Sequence, residues 1–170
     1  MKFREKILQL IDVNNPPELT LHVRKSALKL SELQKMPVWA EGIQSEPLRG
    51  LLFLWHDHGS ESHAIAQSHE GVRDYDLLHA ILHRREADYS NSNYWFRSVG
   101  HHPLFGNLSV KIKASFAKDA DLIHKVLPSG KWDPGVFIRL VKQDAENPRL
   151  RSIQGMEFEC FLEHLLTEAL

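Results

Sequence analysis

The run LRGLLFLW at residues 48–55 is the sequence feature that most constrains the fold, because its apolar side chains cover every side of a helix. The preceding SEP at residues 45–47 is typical of a helix start: a capping hydroxyl, an acid near the positive end of the helix dipole, and proline in the first turn. A helix that is apolar all round must be covered by other elements. The pattern therefore predicts a buried central helix, which we expect to continue to Glu70 with a kink at Gly59.

Caps and breakers divide the rest of the chain into further helices. Apolar spacing predicts helices over residues 3–11, 18–36 (ended by Pro37), 74–87, 90–99 and 134–146, and a long last helix after Pro148. Residues 107–127 begin with a strand-like alternation, but their later spacing is helical, and we favour helix. We expect an all-α fold: a single-domain bundle of about six or seven helices around the central one. Its N-terminal helices lie in residues 1–44, a histidine-rich core in 45–105 and C-terminal helices in 106–170.

Composition limits the classes of function. The net charge is −1, from 21 basic and 22 acidic residues that are interspersed, so the basic surplus of a dedicated nucleic-acid binder is missing. A single cysteine, Cys160, excludes an internal disulfide framework and a cysteine-rich zinc site. The first residues lack the apolar run of a signal peptide, and the run LLFLW is too short to span a bilayer. We expect a cytoplasmic protein with neither nucleic-acid nor membrane partners, and its oligomeric state stays open.

Histidines are concentrated in residues 55–105, which hold eight of the chain's eleven. Two sets of polar residues there share the spacing i, i+4, i+7, which puts each set on one face of a helix. They are His63, Gln67 and Glu70 on the predicted central helix, and His79, His83 and Glu86 on the next. A short turn around Gly71 makes the two helices antiparallel neighbours. If the two faces meet, they enclose three imidazoles and two carboxylates.

This set of side chains favours a divalent metal such as zinc, iron or manganese. His79 and His83, one helical turn apart, suit two ligands, and His63 suits a third. Glu70 or Glu86 would then be a fourth ligand or a general base acting on bound water. The pair HAILH lacks the glutamate that HExxH zinc hydrolases place after the first histidine, so that mechanism is not carried over. A buried hydrogen-bond network that only orders the fold explains the same residues.

Other polar residues suit a small anionic ligand. Arg97 and His102, together with the histidine pair, are fitted to a carboxylate or phosphate, because arginine makes bidentate contacts to such groups. Gln67 and Arg84 are further candidate ligand contacts. Three further histidines of this stretch are expected to be solvated or at the rim: His56, His58 and His101.

Arginine on an apolar helix face indicates a buried ion pair. Arg85 falls among leucines and isoleucine on its helix, and a guanidinium removed from water needs a carboxylate partner. Gln154 and Glu157 fall inside the apolar stripe of the last helix. We therefore predict that Arg84 or Arg85 pairs with Glu157 and that Gln154 completes the network. A structural role is the favoured interpretation of this pair over ligand binding.

The stretch HAILHRREADYSNSNYWFRSVGHHPLF at residues 79–105 resembles a family of uncharacterised soluble helical proteins. The recurring elements of that family are a histidine and a glutamine on one helix, an HAxxHRRExDYxNxxYW stretch, and a later G-x-HP. They correspond here to His63, Gln67, His79, His83, Arg84, Arg85, Glu86, Asp88, Asn91, Tyr94, Trp95, Gly100, His102 and Pro103. The resemblance covers about the middle third of the chain. It implies a helical fold with its site at these residues, and it implies no reaction.

Three functions fit these patterns. The first is a His/Glu/Arg pocket that binds a metal or a small anionic ligand, as in a hydrolase or lyase. The second is a non-catalytic small-molecule binder or sensor that uses the same pocket. The third is a helical interaction module whose polar core is purely structural. The first requires His63, His79 and His83 to converge, whereas the third requires them to be packed and hydrogen-bonded without a cavity.

Overall fold

The computed structural model describes residues 3–36 and 46–168, and within these ranges the chain forms ten helices and no strand. The predicted all-α class is therefore confirmed. In chain order the helices are α1 (Phe3–Leu8), α2 (Leu30–Gln34), α3 (Glu46–Trp55), α4 (Gly59–Gln67), α5 (Arg73–Arg85), α6 (Tyr89–Val99), α7 (Leu104–Ser115), α8 (Ala120–Val126), α9 (Pro134–Gln143) and α10 (Pro148–Glu168). The predicted cap at Ser45 and the predicted helix end at Pro37 lie outside the described residues. None of the described helices is both long and apolar enough to cross a membrane.

Helix α3 is the buried element that its all-apolar sequence predicted. Its residues from Leu51 to Trp55 are at most 3% exposed. It contacts α4, α5 and α10, which cover it on different sides. Burying this run removes several large apolar side chains from water, and each of them stabilises the fold by roughly 1.5–3 kcal/mol.

The predicted continuation of this helix to Glu70 is wrong. Helix α3 ends at Trp55, and α4 begins only at Gly59. Between them Asp57 adopts a left-handed backbone conformation, with φ of 68°, which no α-helix accommodates. Gly59 packs tightly against the N-terminal segment: a Cβ there would lie 2.4 Å from Leu21 Cδ2. The break is a three-residue corner, residues 56–58, rather than a kink at Gly59.

Two other predicted helices also differ, one being shortened and one divided, and the described residues contain ten helices instead of about six or seven. Of the helix predicted over residues 18–36, α2 alone forms. The backbone of the segment before α2 makes hydrogen bonds to other elements: the Leu21 N–H donates to the carbonyl of Arg85 at 2.6 Å. Residues 107–115 and 120–126 are helical, as favoured, but they belong to two helices, because α7 ends at Ser115 and Asp119 caps α8 by accepting from the Leu122 N–H at 3.1 Å.

The corner at residues 56–58 fastens this N-terminal segment to the core. His56 was predicted to be solvated, which is wrong: it is 4% exposed. Its Nδ1 accepts from the Leu28 N–H at 3.2 Å, and its Nε2 donates to the carbonyl of Leu10 at 2.8 Å. His58, also predicted at the rim, is half-buried and donates from Nε2 to the carbonyl of Leu28 at 2.8 Å. Both rings point into the protein because the corner packs against the N-terminal segment before α2, which was predicted to be part of a helix.

Stability is expected to fall as the pH drops from about 6.5 toward 4, partly because of His56. Burial lowers the pKa of His56 from 6.5 to about 4. Between these two pH values the unfolded chain binds a proton at His56 and the folded chain does not. The contribution of the neutral His56 ring to the free energy of unfolding is therefore complete above pH 6.5 and is lost as the pH falls. One such group gives a slope of up to about 1.4 kcal/mol per pH unit.

Urea unfolding of His56→Gln and of wild type from pH 7.5 to 4.5 measures this slope. We expect a shallower dependence in the variant, because the titrating ring is gone. His22→Gln, at an exposed histidine, is the matched control and should follow wild type. Equal slopes in His56→Gln and wild type would show that His56 does not contribute.

Candidate metal site

Three imidazoles converge between α4 and α5, as the shared helical spacing predicted. His63 on α4 and His79 and His83 on α5 each offer a ring nitrogen, and these three atoms lie within 4.8 Å of one another. The Nε2 atoms of His63 and His79 are 3.1 Å apart. Two nitrogens bound to one tetrahedral zinc at about 2.0–2.1 Å would be about 3.3–3.4 Å apart. The His63–His79 pair therefore nearly has the spacing of two ligands on one metal, and the His83 nitrogen lies within 4.8 Å of both.

The ring of His83 is oriented by neighbours on both sides. Its Nδ1 lies 2.9 Å from Glu86 Oε2, and because a carboxylate only accepts, Nδ1 carries the proton. The lone pair is then on Nε2, which accepts from Asn91 Nδ2 at 3.1 Å. Asn91 is itself placed by the start of α6, where its backbone N–H donates to the capping Asp88. A histidine whose second nitrogen donates to a carboxylate is the usual arrangement in metal sites.

His79 is the most enclosed member of the triad, at 2% exposed. Its ring stacks between those of His83 and Trp95, with centroid distances of 4.7 and 4.1 Å. Burial, reinforced by the neighbouring His83 and His63, lowers the pKa of His79 from 6.5 to about 4. The ring is therefore neutral at pH 7, which is the form that binds metals. Its Nδ1 is buried and has no hydrogen-bond partner among the described residues.

The two predicted carboxylates of the site are placed differently. Glu86 contacts the triad through His83, although its side chain is 37% exposed. Glu70 lies in the turn beyond α4 and is exposed, because α4 ends at Gln67 rather than continuing as predicted. The expected pocket with three imidazoles and two carboxylates thus becomes a triad with one neighbouring carboxylate.

The four residues predicted to contact a ligand also lie in different environments. Gln67 and Arg97 are exposed on α4 and α6, the two helices that bring His63 and Asn91 to the triad. Arg84 is fully buried, with its guanidinium committed to internal partners. His102 lies apart from the triad that it was predicted to join and contacts Asp74 instead.

The predicted network of Glu157, Gln154 and either Arg84 or Arg85 is confirmed, and its arginine is Arg84. Both Nη atoms of Arg84 donate to the two carboxylate oxygens of Glu157, and Nη2 also donates to Gln154 Oε1 at 3.4 Å. The guanidinium lies 4.8 Å from the ring centroid of Phe137. Gln154 Nε2 donates to the carbonyls of residues 17 and 18, which extends the network to the N-terminal segment. The partner of Arg85 is Asp57, 2.8 Å from its Nη2.

A second polar cluster was not predicted from the sequence. Asp74, in the first turn of α5, accepts from His102 Nε2 at 2.9 Å and from His164 Nε2 at 3.1 Å. Burial alone would raise the pKa of Asp74, but the hydrogen bond from His102 and the charge of His164 outweigh it and lower the pKa. Neither Asp74 nor His164 was among the candidate site residues predicted from the sequence. Local spacing offers no signal for contacts that join residues 28 and 90 positions apart.

Comparison with known proteins found no family model that matches this chain and no solved structure that matches it. The resemblance at residues 79–105 stays a prediction. The site must therefore be interpreted from its own geometry.

Proposed function

We propose that this protein binds one divalent transition metal, zinc, iron or manganese, at His63, His79 and His83. The observation that carries the proposal is the convergence of three imidazole nitrogens within 4.8 Å, two of them 3.1 Å apart. The neutral state of His79 and the orientation of His83 by Glu86 support it, because a metal needs deprotonated, preoriented ligands.

The proposed chemistry is that of a hydrolase or lyase acting on a small anionic molecule. A metal held by three protein ligands keeps a free position, where it lowers the pKa of bound water or polarises a bound oxygen. Glu86, in contact with His83 and with solvent, is the proposed proton acceptor. Arg97 and Gln67, exposed on the adjoining helices, are the proposed contacts for the anionic part of the ligand. Glu70 lies beyond the end of α4, so we give it no role in the reaction.

Three broader expectations accompany this proposal. We propose that the ten described helices form one domain around α3. We also propose a cytoplasmic protein without nucleic-acid or membrane partners. Finally, we propose that the motif at residues 79–105 marks membership of the helical family that it resembles, since all three proposed ligands are among the residues of that family's pattern.

One observation favours a non-catalytic alternative. The contact between His63 and His79 and the bond from Asn91 to His83 occupy the facing nitrogens without a metal. In that case the cluster would stabilise an interaction module or a small-molecule binder, as a buried hydrogen-bond network does. Metal binding separates the two functions, because the alternative requires none.

Titration of chelator-treated protein with Co²⁺ or Zn²⁺ tests the proposal. We expect His79→Ala/His83→Ala to bind about one equivalent fewer than wild type, because two of three ligands are removed. His22→Ala/His124→Ala, which removes two exposed histidines, is the matched control and should bind as wild type does. Glu86→Gln keeps all three ligands and should weaken binding about 10–100-fold. Equal binding by wild type and the His79/His83 variant would overturn the metal site.

A further inference from the structure

The second polar cluster joins three parts of the fold that are distant in sequence. Asp74 belongs to the first turn of α5, His102 to the turn before α7, and His164 to α10. Both Nε2 atoms face the same oxygen, Oδ1 of Asp74, at 2.9 and 3.1 Å, and the three candidate ligand atoms lie within 4.8 Å of one another. Ligand atoms about 2.0–2.2 Å from one metal are about 2.9–3.5 Å apart at bond angles near 90–110°. Both distances from Asp74 Oδ1 fall in this range, and the two imidazole nitrogens lie within 4.8 Å of each other.

We propose that Asp74, His102 and His164 form a second site for a divalent transition metal, separate from the first triad. Two imidazoles and one carboxylate on one side of a metal form the set that binds non-haem Fe²⁺ and leaves coordination positions open. The three side chains differ in exposure, which would leave one side of the metal open to solvent. His102 is fully buried, while the side chains of Asp74 and His164 are 25% and 19% exposed.

A pocket of about 580 Å³ lies directly against these side chains. Its lining includes Asp74, His102, His164, Arg73 and Ser98. Arg73 is exposed and adds a positive charge beside the cluster. The open coordination positions would face this space, so the site would accept a small oxyanion, a carboxylate or phosphate, as a further ligand of the metal.

The position of the protons defines what metal binding must change. The Leu104 N–H donates to His102 Nδ1 at 3.2 Å, so the proton of that ring is on Nε2 and points at Asp74. A metal would replace the protons that now face Asp74 Oδ1. The proton of His102 would move to Nδ1, and the long bond from Leu104 would be given up. Metal binding would thus exchange three hydrogen bonds, the two to Asp74 Oδ1 and the one from Leu104, for three metal–ligand bonds.

The experiment uses full-length, chelator-treated protein in which the first triad is already removed. His79→Ala/His83→Ala is dialysed against Fe²⁺ without oxygen, or against Zn²⁺, and bound metal is counted. We expect about one equivalent, lost when His164→Ala is added and retained when His124→Ala is added as the matched control. Metal should also raise the melting temperature of the His79/His83 variant, because it ties α10 to α5, and this shift should vanish with His164→Ala.

The outcomes distinguish failure of the second site from failure of the first. Failure of the His79/His83 variant to bind metal would overturn the second site and leave the first intact. Retention of metal after His164→Ala would also overturn it, because the metal would then lie elsewhere. If His164→Ala alters the fold by circular dichroism, Asp74→Asn replaces it: the amide keeps the size of the side chain but loses the charge, and the same loss of about one equivalent is expected. Wild type that binds a single equivalent, lost with His164→Ala, would support this site and overturn the first.

Discussion

Replacing Glu157 by alanine is expected to lower the free energy of unfolding by about 3–5 kcal/mol. Arg84 and Glu157 are both fully buried, and the carboxylate accepts hydrogen bonds from both Nη atoms of the guanidinium. Removing the carboxylate leaves a cation in the core beside Phe137, where water cannot replace the lost partner. A loss of this size is a large part of the stability of an ordinary domain.

Urea unfolding monitored by circular dichroism measures this loss, with Glu159→Ala as the matched control on the same helix. Glu159 pairs with Lys111 at 2.7 Å, but both side chains are partly exposed, and we expect a loss below about 1 kcal/mol. Replacing both charges, in Arg84→Met/Glu157→Leu, should recover much of the stability, because an apolar pair of similar volume needs no partner. A Glu157 variant as stable as the Glu159 variant would contradict the buried-pair account.

Asp57→Asn is expected to cost about 3 kcal/mol, the lower end of the range for a broken buried pair, because the amide still offers one acceptor. Asp57 Oδ1 accepts from Arg85 Nη2 at 2.8 Å, and Oδ2 accepts from Arg24 Nε at 2.8 Å and from the Arg24 N–H at 3.0 Å. Burial lowers the pKa of Arg85 to about 10, which still leaves it charged at pH 7. Asparagine tolerates the left-handed backbone of this position, so the variant tests the charge rather than the turn.

The same unfolding measurement compares Asp57→Asn with Asp121→Asn, an exposed carboxylate on α8. The control should change stability by no more than about 0.5 kcal/mol. The effect of Asp57→Asn should also shrink in acid. Hydrogen bonds from Arg85 and Arg24 overcome the effect of burial and lower the pKa of Asp57 below 3.8, so its contribution is lost only as the pH falls through that lowered value. Equal stability of Asp57→Asn and wild type at pH 7 would show that the corner is held by other contacts.

Features that depend on periodicity within one helix were predictable from the sequence. The all-apolar run of α3 predicted its burial, and the spacing of His79 and His83 predicted a shared face. A pair between Glu157 and either Arg84 or Arg85 was predicted because Arg85 and Glu157 each fall in an apolar stripe, where a buried charge needs an opposite charge as partner. In each case the side chains on one helix face are removed from water, and their spacing along the sequence is enough to identify that face.

Features that depend on tertiary contacts were not predictable in this way. The corner at Asp57 exists because Arg24 and Arg85, 33 and 28 positions away, hold a conformation that no local propensity favours. The segment before α2 has helical spacing, but His56 and the end of α5 bind its backbone groups instead. The contacts of Asp74 with α10 span 90 positions, so local spacing does not show them.

Helix α5 links all of these features. It carries Asp74 in its first turn, two ligands of the proposed first site, and then Arg84 and Arg85 in its last turn. The two arginines fix that end of the helix to α10 and to the corner. The imidazoles of His79 and His83 therefore project from a helix whose position is fixed by buried ion pairs, which is the kind of rigid support that a preorganised metal site requires.

Metal content of tag-free protein, purified without chelators from cells supplied with zinc, iron and manganese, tests the central claim most directly. Inductively coupled plasma mass spectrometry would count the metal in wild type and in His79→Ala/His83→Ala, with circular dichroism to verify the fold. The account predicts at least about one equivalent in wild type, and about one equivalent fewer in the variant. No metal in wild type under any supplement, or the same content in both proteins, would contradict a metal centre at His63, His79 and His83.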